Sequence, residues 1–437
     1  PQFGNMPVNV DFERCMFNGN LSAFEVDMKL ISDVHASIEL TGKGGNLFSP
    51  DGRHMSLSKL SLGVDGNELQ RLLLQSGVAG EGLPVKLDAL GRAGINLKGV
   101  LDGVALRGNI DVFSDQGKVS AETSGRFRDF KDFDLAVHVA TDGAVDLSGL
   151  FPKLDIGEVE GDIVGNVLQK GILTGGSADL EIDHAIFRGA SYDAFKAHVT
   201  LEDDVLRGYA NIDNPNIAFA MEGAYSLRSN DRLVELHLDL DRFIPSMLNL
   251  TDKAQGACFG GVADIALEGD RFSHMNGKAS VDGLRFTRAD GEALVLDSFL
   301  LTAEPSRITV RSDFIDGELY GAYDFASIAA DFRHIAGMVF PSLLPGSISG
   351  KGVGASANDF AFNFTIKETE RPARFFNLPV SVVYPVKLSG AFSSQTSDMA
   401  LNMEAPYLRQ GNKLIENTAI AAFMSGEDNI ANLDIAT

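Results

Sequence analysis

The chain has 437 residues, 44% of them hydrophobic, and 60 acidic against 37 basic side chains give a formal charge of −23. That charge repels nucleic acid and anionic headgroups, and no Lys/Arg-rich run offsets it, so nucleic-acid binding is excluded. Aromatic usage is 29 Phe, 7 Tyr and no Trp, which suits a dry apolar surface and counts against a sugar-binding face built on rings with polar handles.

The first element in chain order is a short helix over Asn67 to Val78, where Leu69, Leu72 and Leu73 oppose Gln70 and Arg71. Strict alternation follows. Phe133, Leu135, Val137 and Val139 are apolar, with Asp134 and His138 pointing the other way. The same period of two recurs over Ala178 to Asp183, with Leu180 and Ile182 apolar, and at Val234, Leu236, Leu238 and Leu240. It returns at Phe360, Phe362, Phe364 and Ile366 and over Met399 to Glu404. Strands with one apolar and one polar face belong to antiparallel sheets. Asp-Gly pairs at 51–52, 65–66, 102–103, 142–143, 282–283, 290–291 and 316–317 supply turn signals, some of which belong in bulges or loops. A second helix is expected within Asp324 to Leu344, and one-turn equivalents near Val145–Leu150 and Arg242–Leu250.

One motif repeats. Gly125-Arg126-Phe127, Gly223-Ala224-Tyr225 and Gly321-Ala322-Tyr323 are each 98 residues apart. Each is followed by an apolar segment with proline: Leu150-Phe151-Pro152, Phe243-Ile244-Pro245 and Phe340-Pro341. Equal spacing predicts one continuous repeated body rather than unrelated domains. The expected units are 1–153, with the short helix near 67–78, then 154–250, then 251–345 ending in a helix, and an incomplete fourth at 346–437.

These phrases resemble a known family. Gly277 to Phe286 (GKASVDGLRF), Leu294 to Ala303 (LVLDSFLLTA), Ile308 to Phe314 and Gly317 to Phe325 are similar to the TamB translocation and assembly modules, members of the AsmA-like envelope proteins. Ala178 to Leu227, and Phe360 to Ile366 followed by Val386 to Phe392, resemble further copies. The likeness runs from about Phe24 to the end. It implies a mainly β fold: an elongated, curled antiparallel sheet, a β-taco or half-pipe of ~95-residue repeats with an apolar groove and a few short junction helices. It further implies a periplasmic location in a diderm bacterium, an inner-membrane anchor before this portion, and a BamA-type outer-membrane barrel (a TamA-like partner) met by a part after it. The start at Pro1 fits an internal piece of such a chain.

The function expected from this resemblance is a hydrophobic conduit for phospholipid between inner and outer membranes. Acyl chains would lie against Phe133, Leu135, Val137, Val139, Leu180, Ile182, Val234, Leu236, Leu238, Phe299, Leu301, Phe360, Phe362, Phe364 and Ile366. Charge at Leu236 or Phe362 is expected to block passage and leave the sheet folded. Two rivals share the same pattern: a scaffold for assembling outer-membrane β-barrel proteins, including autotransporters, and a passive spacer of closed β-sandwiches.

No chemistry competes. The eight His show no HExxH or paired metal spacing, and His138, His184 and His237 fall on polar strand faces. Ser349-Gly350-Lys351-Gly352 lacks the spacing and the hydroxyl of a phosphate loop, and Asp203-Asp204 and Asp239/Asp241 form no calcium loop. No GxSxG elbow is present, so no enzyme activity and no cofactor are expected. Cys15 and Cys258 are expected as two buried free thiols, with a disulfide between them as the alternative, and no run of 18 apolar residues exists to span a bilayer as a helix.

Overall fold

A computed structural model describes residues 9–20, 22–32, 36–75, 85–151, 153–228, 232–251, 255–269, 276–323, 358–425 and 430–436. The fold is mainly β. The described residues form 26 strands, two short helices and one 3₁₀ turn at Leu87–Leu90, and every strand pairing is antiparallel. The chain divides into two compact units, residues 1–220 with 244–255, and residues 221–243 with 256–437. Strand β14 (Ile217–Ser226) carries the boundary.

The first unit is a meander. Its strands are β1 (Val10–Asn20), β2 (Ala23–Ser32), β3 (Ser37–Gly45), β4 (His54–Asp65), β5 (Arg92–Asp102), β6 (Ala105–Ser114), β7 (Gly117–Asp129), β8 (Asp132–Thr141), the two-residue β9 (Val145–Asp146), β10 (Ile156–Lys170), β11 (Leu173–Phe187), β12 (Ala190–Glu202) and β13 (Val205–Asn214). Each long strand pairs with its sequence neighbour, β8 pairing with β10 as β9 pairs at the end of β10. Among the described residues β1 has one partner only, β2, so the ladder stays open there.

The second unit repeats the plan. β15 (Arg232–Phe243), β16 (Cys258–Gly269), β17 (Asn276–Thr287), β18 (Ala293–Glu304), β19 (Arg307–Ser312), β20 (Ile315–Ala322), β21 (Asp359–Ile366), β23 (Val386–Ser393), β24 (Asp398–Gln410), β25 (Lys413–Ser425) and β26 (Ile430–Ala436) pair in succession. The short β22 (Ser381–Val382) adds to the end of β24.

Helices sit at strand junctions because the sheet leaves no other place for them. α1 spans Gly66–Gln75, close to the expected range, and the Asp65 carboxylate accepts the Asn67 N–H at its start. Its Gln70 Oε1 accepts the backbone N–H groups of Leu87 and Asp88, tying helix to 3₁₀ turn. α2 (Glu370–Phe375) buries Ala373 and Phe375. The helix expected within 324–344 lies outside the described residues, as do Phe340-Pro341 and Ser349 to Gly352.

The two one-turn segments are turns with buried tips. Leu150 and Phe151 donate to the Leu147 carbonyl, and Leu250 donates to that of Pro245, while Leu150 and Leu248 are buried. They cap strand ends of the first unit. Asn249 Nδ2 donates to the Arg188 carbonyl in the β11–β12 hairpin.

The Asp-Gly signals divide. Pairs 51–52, 142–143 and 290–291 sit in turns, and Gly103 opens the β5–β6 hairpin. Pair 65–66 starts α1, 282–283 forms a bulge inside β17, and 316–317 lies within β20. Where both turn residues do take positive φ, the sequence is Arg188-Gly189 or Asp203-Asp204. The latter pair of carboxylates is thus a hairpin turn.

Candidate functional site

Opposed residues in an antiparallel ladder share a face, so the registers can be read across the sheet as rows. One row of the first unit crosses twelve strands: Cys15, Met28, Leu40, Leu60, Leu97, Ile110, Ala121, Val139, Ile163, Leu180, Ala197 and Ala210. No polar side chain interrupts it apart from the thiol. The row one residue away reads Lys29, Glu39, Ser61, Asn96, Asp111, Ser120, Ala140, Asp162, Glu181, Lys196 and Asn211. The sheet therefore has one apolar and one polar face throughout the unit. At about 4.8 Å per strand, eleven steps carry the apolar row some 50 Å.

Bulges keep the two faces in phase. Ser58 is the extra residue that lets Leu57 and Leu60 both face the apolar side. A second bulge beside Ile182 turns His184 to the polar face, against the strict alternation of β11.

The second unit has the same construction. Leu236, Ile265, Ala279, Leu301, Val310, Gly317, Phe364, Leu388, Met403, Ile420 and Ile435 form one row across eleven strands.

Every residue expected to line the face lies on it. Phe133, Leu135, Val137 and Val139 of β8 join Leu180 and Ile182 of β11 in the first unit. Val234, Leu236, Leu238, Phe299, Leu301, Phe360, Phe362, Phe364 and Ile366 do so in the second.

The two faces differ in how far their own side chains seal them. In the first unit large apolar groups on this face keep much of their surface: Phe12 is 64% and Phe17 62% exposed, and Ile163, Val167 and Val199 are exposed too. In the second unit a cluster of Ile308, Leu319, Tyr323, Phe360, Phe362, Phe392, Met399 and Met424 is buried. Phe392 is 2% exposed and stacks on Phe360 at 5.2 Å. Phe362, at 7%, is part of this packed core. A charge there would be buried without a partner and break the cluster, contrary to the expectation of a silent fold; Leu236 is half-buried and keeps its value as a probe.

An aromatic series closes one end of the second face. Phe243, Phe259, Phe286 and Phe376 follow one another at centroid distances of 6.3, 5.1 and 5.7 Å, and the Arg288 guanidinium lies over Phe375. The α2 segment is held from the other side by the Arg409–Glu370 ion pair.

The polar face is laced with cross-strand pairs. Lys59 and Arg14 meet Glu39, and the Lys59 hydrogen bond holds that carboxyl below its usual range. Glu181 raises Lys196, and the hydrogen bond from His184 lowers Asp193. His198 and His237 lie 2.7 and 2.6 Å from Asp179 and Asp264. Asp264, through its hydrogen bond and its charge, raises His237. Among the described residues no group of three or more His, Cys, Asp or Glu is placed to hold a metal ion. Cys15 and Cys258 are free thiols, and neither is buried as expected: Cys258 is half-buried, and Cys15 is exposed because among the described residues β1 pairs with β2 alone.

Among the described residues no helix is long and apolar enough to cross a membrane. No family model, curated protein or solved structure matches the chain.

Proposed function

We propose that the apolar face of the first unit, and the part of the second unit's face outside its packed cluster, carry phospholipid acyl chains, and that the chain is a periplasmic portion of a TamB/AsmA-like protein conducting phospholipid between inner and outer membranes. The observation that carries this reading is the uninterrupted apolar row of the first unit, whose large side chains remain partly exposed. A sandwich core would hide them, and open apolar surface on this scale marks a binding face.

Each lipid methylene moved from water onto such a face gains about 0.8 kcal/mol. A row of aliphatic groups with no polar contact holds a chain without fixing its position. The acyl group can therefore slide from strand to strand over small barriers. The polar face, with its ion pairs and His–Asp contacts, stays in water.

The test is a photocrosslinking amino acid at Leu135 in the intact chain, with lipid extraction and native mass spectrometry of the purified protein. Phospholipid adducts at Leu135 and none at His138, one face away, are the expected result. Adducts to polypeptide alone would favour the assembly-scaffold alternative, and a lipid-free mass without adducts would favour the spacer.

A further inference from the structure

Hairpin tips are ordinarily polar, and among the described residues of the first unit three at one edge are not. Phe48 in the β3–β4 loop is 84% exposed, Phe130 in the β7–β8 turn 87%, and Ile172 in the β10–β11 turn fully exposed. All three connections lie at the same edge of the sheet, because β4, β8 and β11 each begin there. At about 4.8 Å per strand, Phe130 and Ile172 stand two strands apart and Phe48 four strands before Phe130.

The edge is stitched together. The Gly103 N–H donates to the Arg53 carbonyl, Phe127 N–H to Val104, and Gly171 N–H to Lys131, at 2.7–2.8 Å. Arg53 also donates to the carbonyls of Gly103, Phe127 and Arg128, with its guanidinium over the Phe127 ring. The tips are thus mounted on one hydrogen-bonded rim. Their exposure has no origin in looseness of the hairpins.

We propose that this rim docks on a phospholipid bilayer surface, with Phe48, Phe130 and Ile172 entering the boundary between headgroups and acyl chains. Large apolar groups standing clear of their neighbours offer a protein partner isolated knobs, whereas a bilayer accepts knobs of any spacing. Charge agrees. Arg53, Arg126, Arg128, Lys131 and Lys170 are matched along this rim by Asp51, Asp102, Asp129, Asp132 and Asp134, so the rim is close to neutral on a chain carrying −23. Anionic headgroups are repelled elsewhere and tolerated here.

The rim is also continuous with the apolar face. Phe130 meets Phe127 edge-on at 5.4 Å, and Phe127 lies 6.4 Å from Phe133 on that face. The docking rests on the exposed tips alone; only its purpose, lipid entry over this rim, rests on the conduit reading.

The experiment is flotation of the full chain with vesicles of phosphatidylethanolamine and phosphatidylglycerol, comparing the unsubstituted protein with Phe48→Ser, Phe130→Ser, Ile172→Ser and the triple variant. Each substitution should weaken partitioning about tenfold, and Phe130→Leu should retain it. High salt should change it little. The triple variant should keep its melting profile to within a few degrees, since all three side chains are more than four-fifths exposed and only Phe130 meets another ring, at its edge. Failure of the unsubstituted protein to float, or equal flotation of the triple variant, overturns the proposal. So does an oligomer that the triple variant dissociates with flotation unchanged, because the tips would then join copies of the chain. A lipid-free apolar face with tip-dependent flotation would overturn the conduit and leave the docking standing.

Discussion

At the residue scale, the three repeated glycines share one physical role. A Cβ on Gly125 would stand 2.1 Å from the Asp134 carbonyl oxygen, on Gly223 2.4 Å from that of Glu235, and on Gly321 2.2 Å from that of Asp359. Gly125 and Gly321 also take φ of +150° and +127°. In each copy the strand comes too close to the next one to carry a side chain, which explains a motif visible in sequence only as a spacing. Gly321→Ala should therefore cost about 1–3 kcal/mol in a urea titration. Gly108 is the control: a Cβ there has ordinary contacts at 3.5 and 3.6 Å, so Gly108→Ala should be neutral or stabilise by up to about 1 kcal/mol. Equal losses at both positions would show that the close approach is not what glycine serves. His237 gives a second residue-scale test. Its pKa is raised by Asp264, so the pair's contribution is fully present below the ordinary His value of about 6.5 and is lost as pH rises through the folded value. The melting difference between the protein and His237→Asn should shrink from pH 5.5 toward pH 8; a difference growing with pH would contradict the pairing. The effect will be small because the pair is exposed and solvent screens it.

At the element scale, the alternating strands were legible wherever five or more residues kept a period of two. β8, β15 and β21 were read with their correct faces, since pleat geometry leaves no other arrangement for FDLAVHV or FAFNFTI. The strands before β7 supply half of the first apolar row. Of these, β2 carries a clean period of two at Phe24, Val26, Met28 and Leu30, although it stands outside the expected strands; in β3, β5 and β6 glycines blank the pattern, as Gly42, Gly99 and Gly108 do on the apolar face, and the Ser58 bulge shifts β4 by one residue. Turn chemistry was only partly legible, because Asp-Gly also suits bulges and helix starts, and Asp203-Asp204 makes a hairpin with no glycine at all. What period two cannot distinguish is an open face from a filled one. The difference lies in which strands gather aromatic groups opposite one another: Phe360 faces Phe392, which faces Met399, which faces Met424. Phe392→Ala should accordingly cost about 3–5 kcal/mol, and Phe133→Ala on the half-exposed face of the first unit well under half of that. Urea midpoints at matched protein concentration decide it; comparable losses would mean that the first face is packed as tightly as the second.

At the scale of the whole molecule, a net charge of −23 sets the terms on which lipid can be held. Electrostatic capture of phosphate headgroups is disfavoured across most of the surface, so on the proposed conduit reading affinity has to come from acyl chains on the apolar faces. Two consequences separate this from adventitious binding. Lipid carried by the purified chain should survive high salt, which screens headgroup contacts within about 3 Å at 1 M and leaves apolar contacts intact or stronger. And one carboxylate in the row should expel it. Val139 is the position to choose, being half-buried and flanked by Ala121 and Ile163, with water still within reach of a new side chain. Before lipid arrives, an aspartate there keeps part of its hydration, so Val139→Asp should cost the fold only about 1–2 kcal/mol. With an acyl chain laid over it, the same carboxylate would lose that water with no partner in exchange, a penalty of several kcal/mol that cancels the gain from several methylenes. The expected outcome is a folded variant whose phospholipid-to-protein ratio, measured by extraction after a high-salt wash, falls at least severalfold. An unchanged ratio in a variant with native circular dichroism would mean that the lipid does not lie on this row, and the conduit reading would lose its seat.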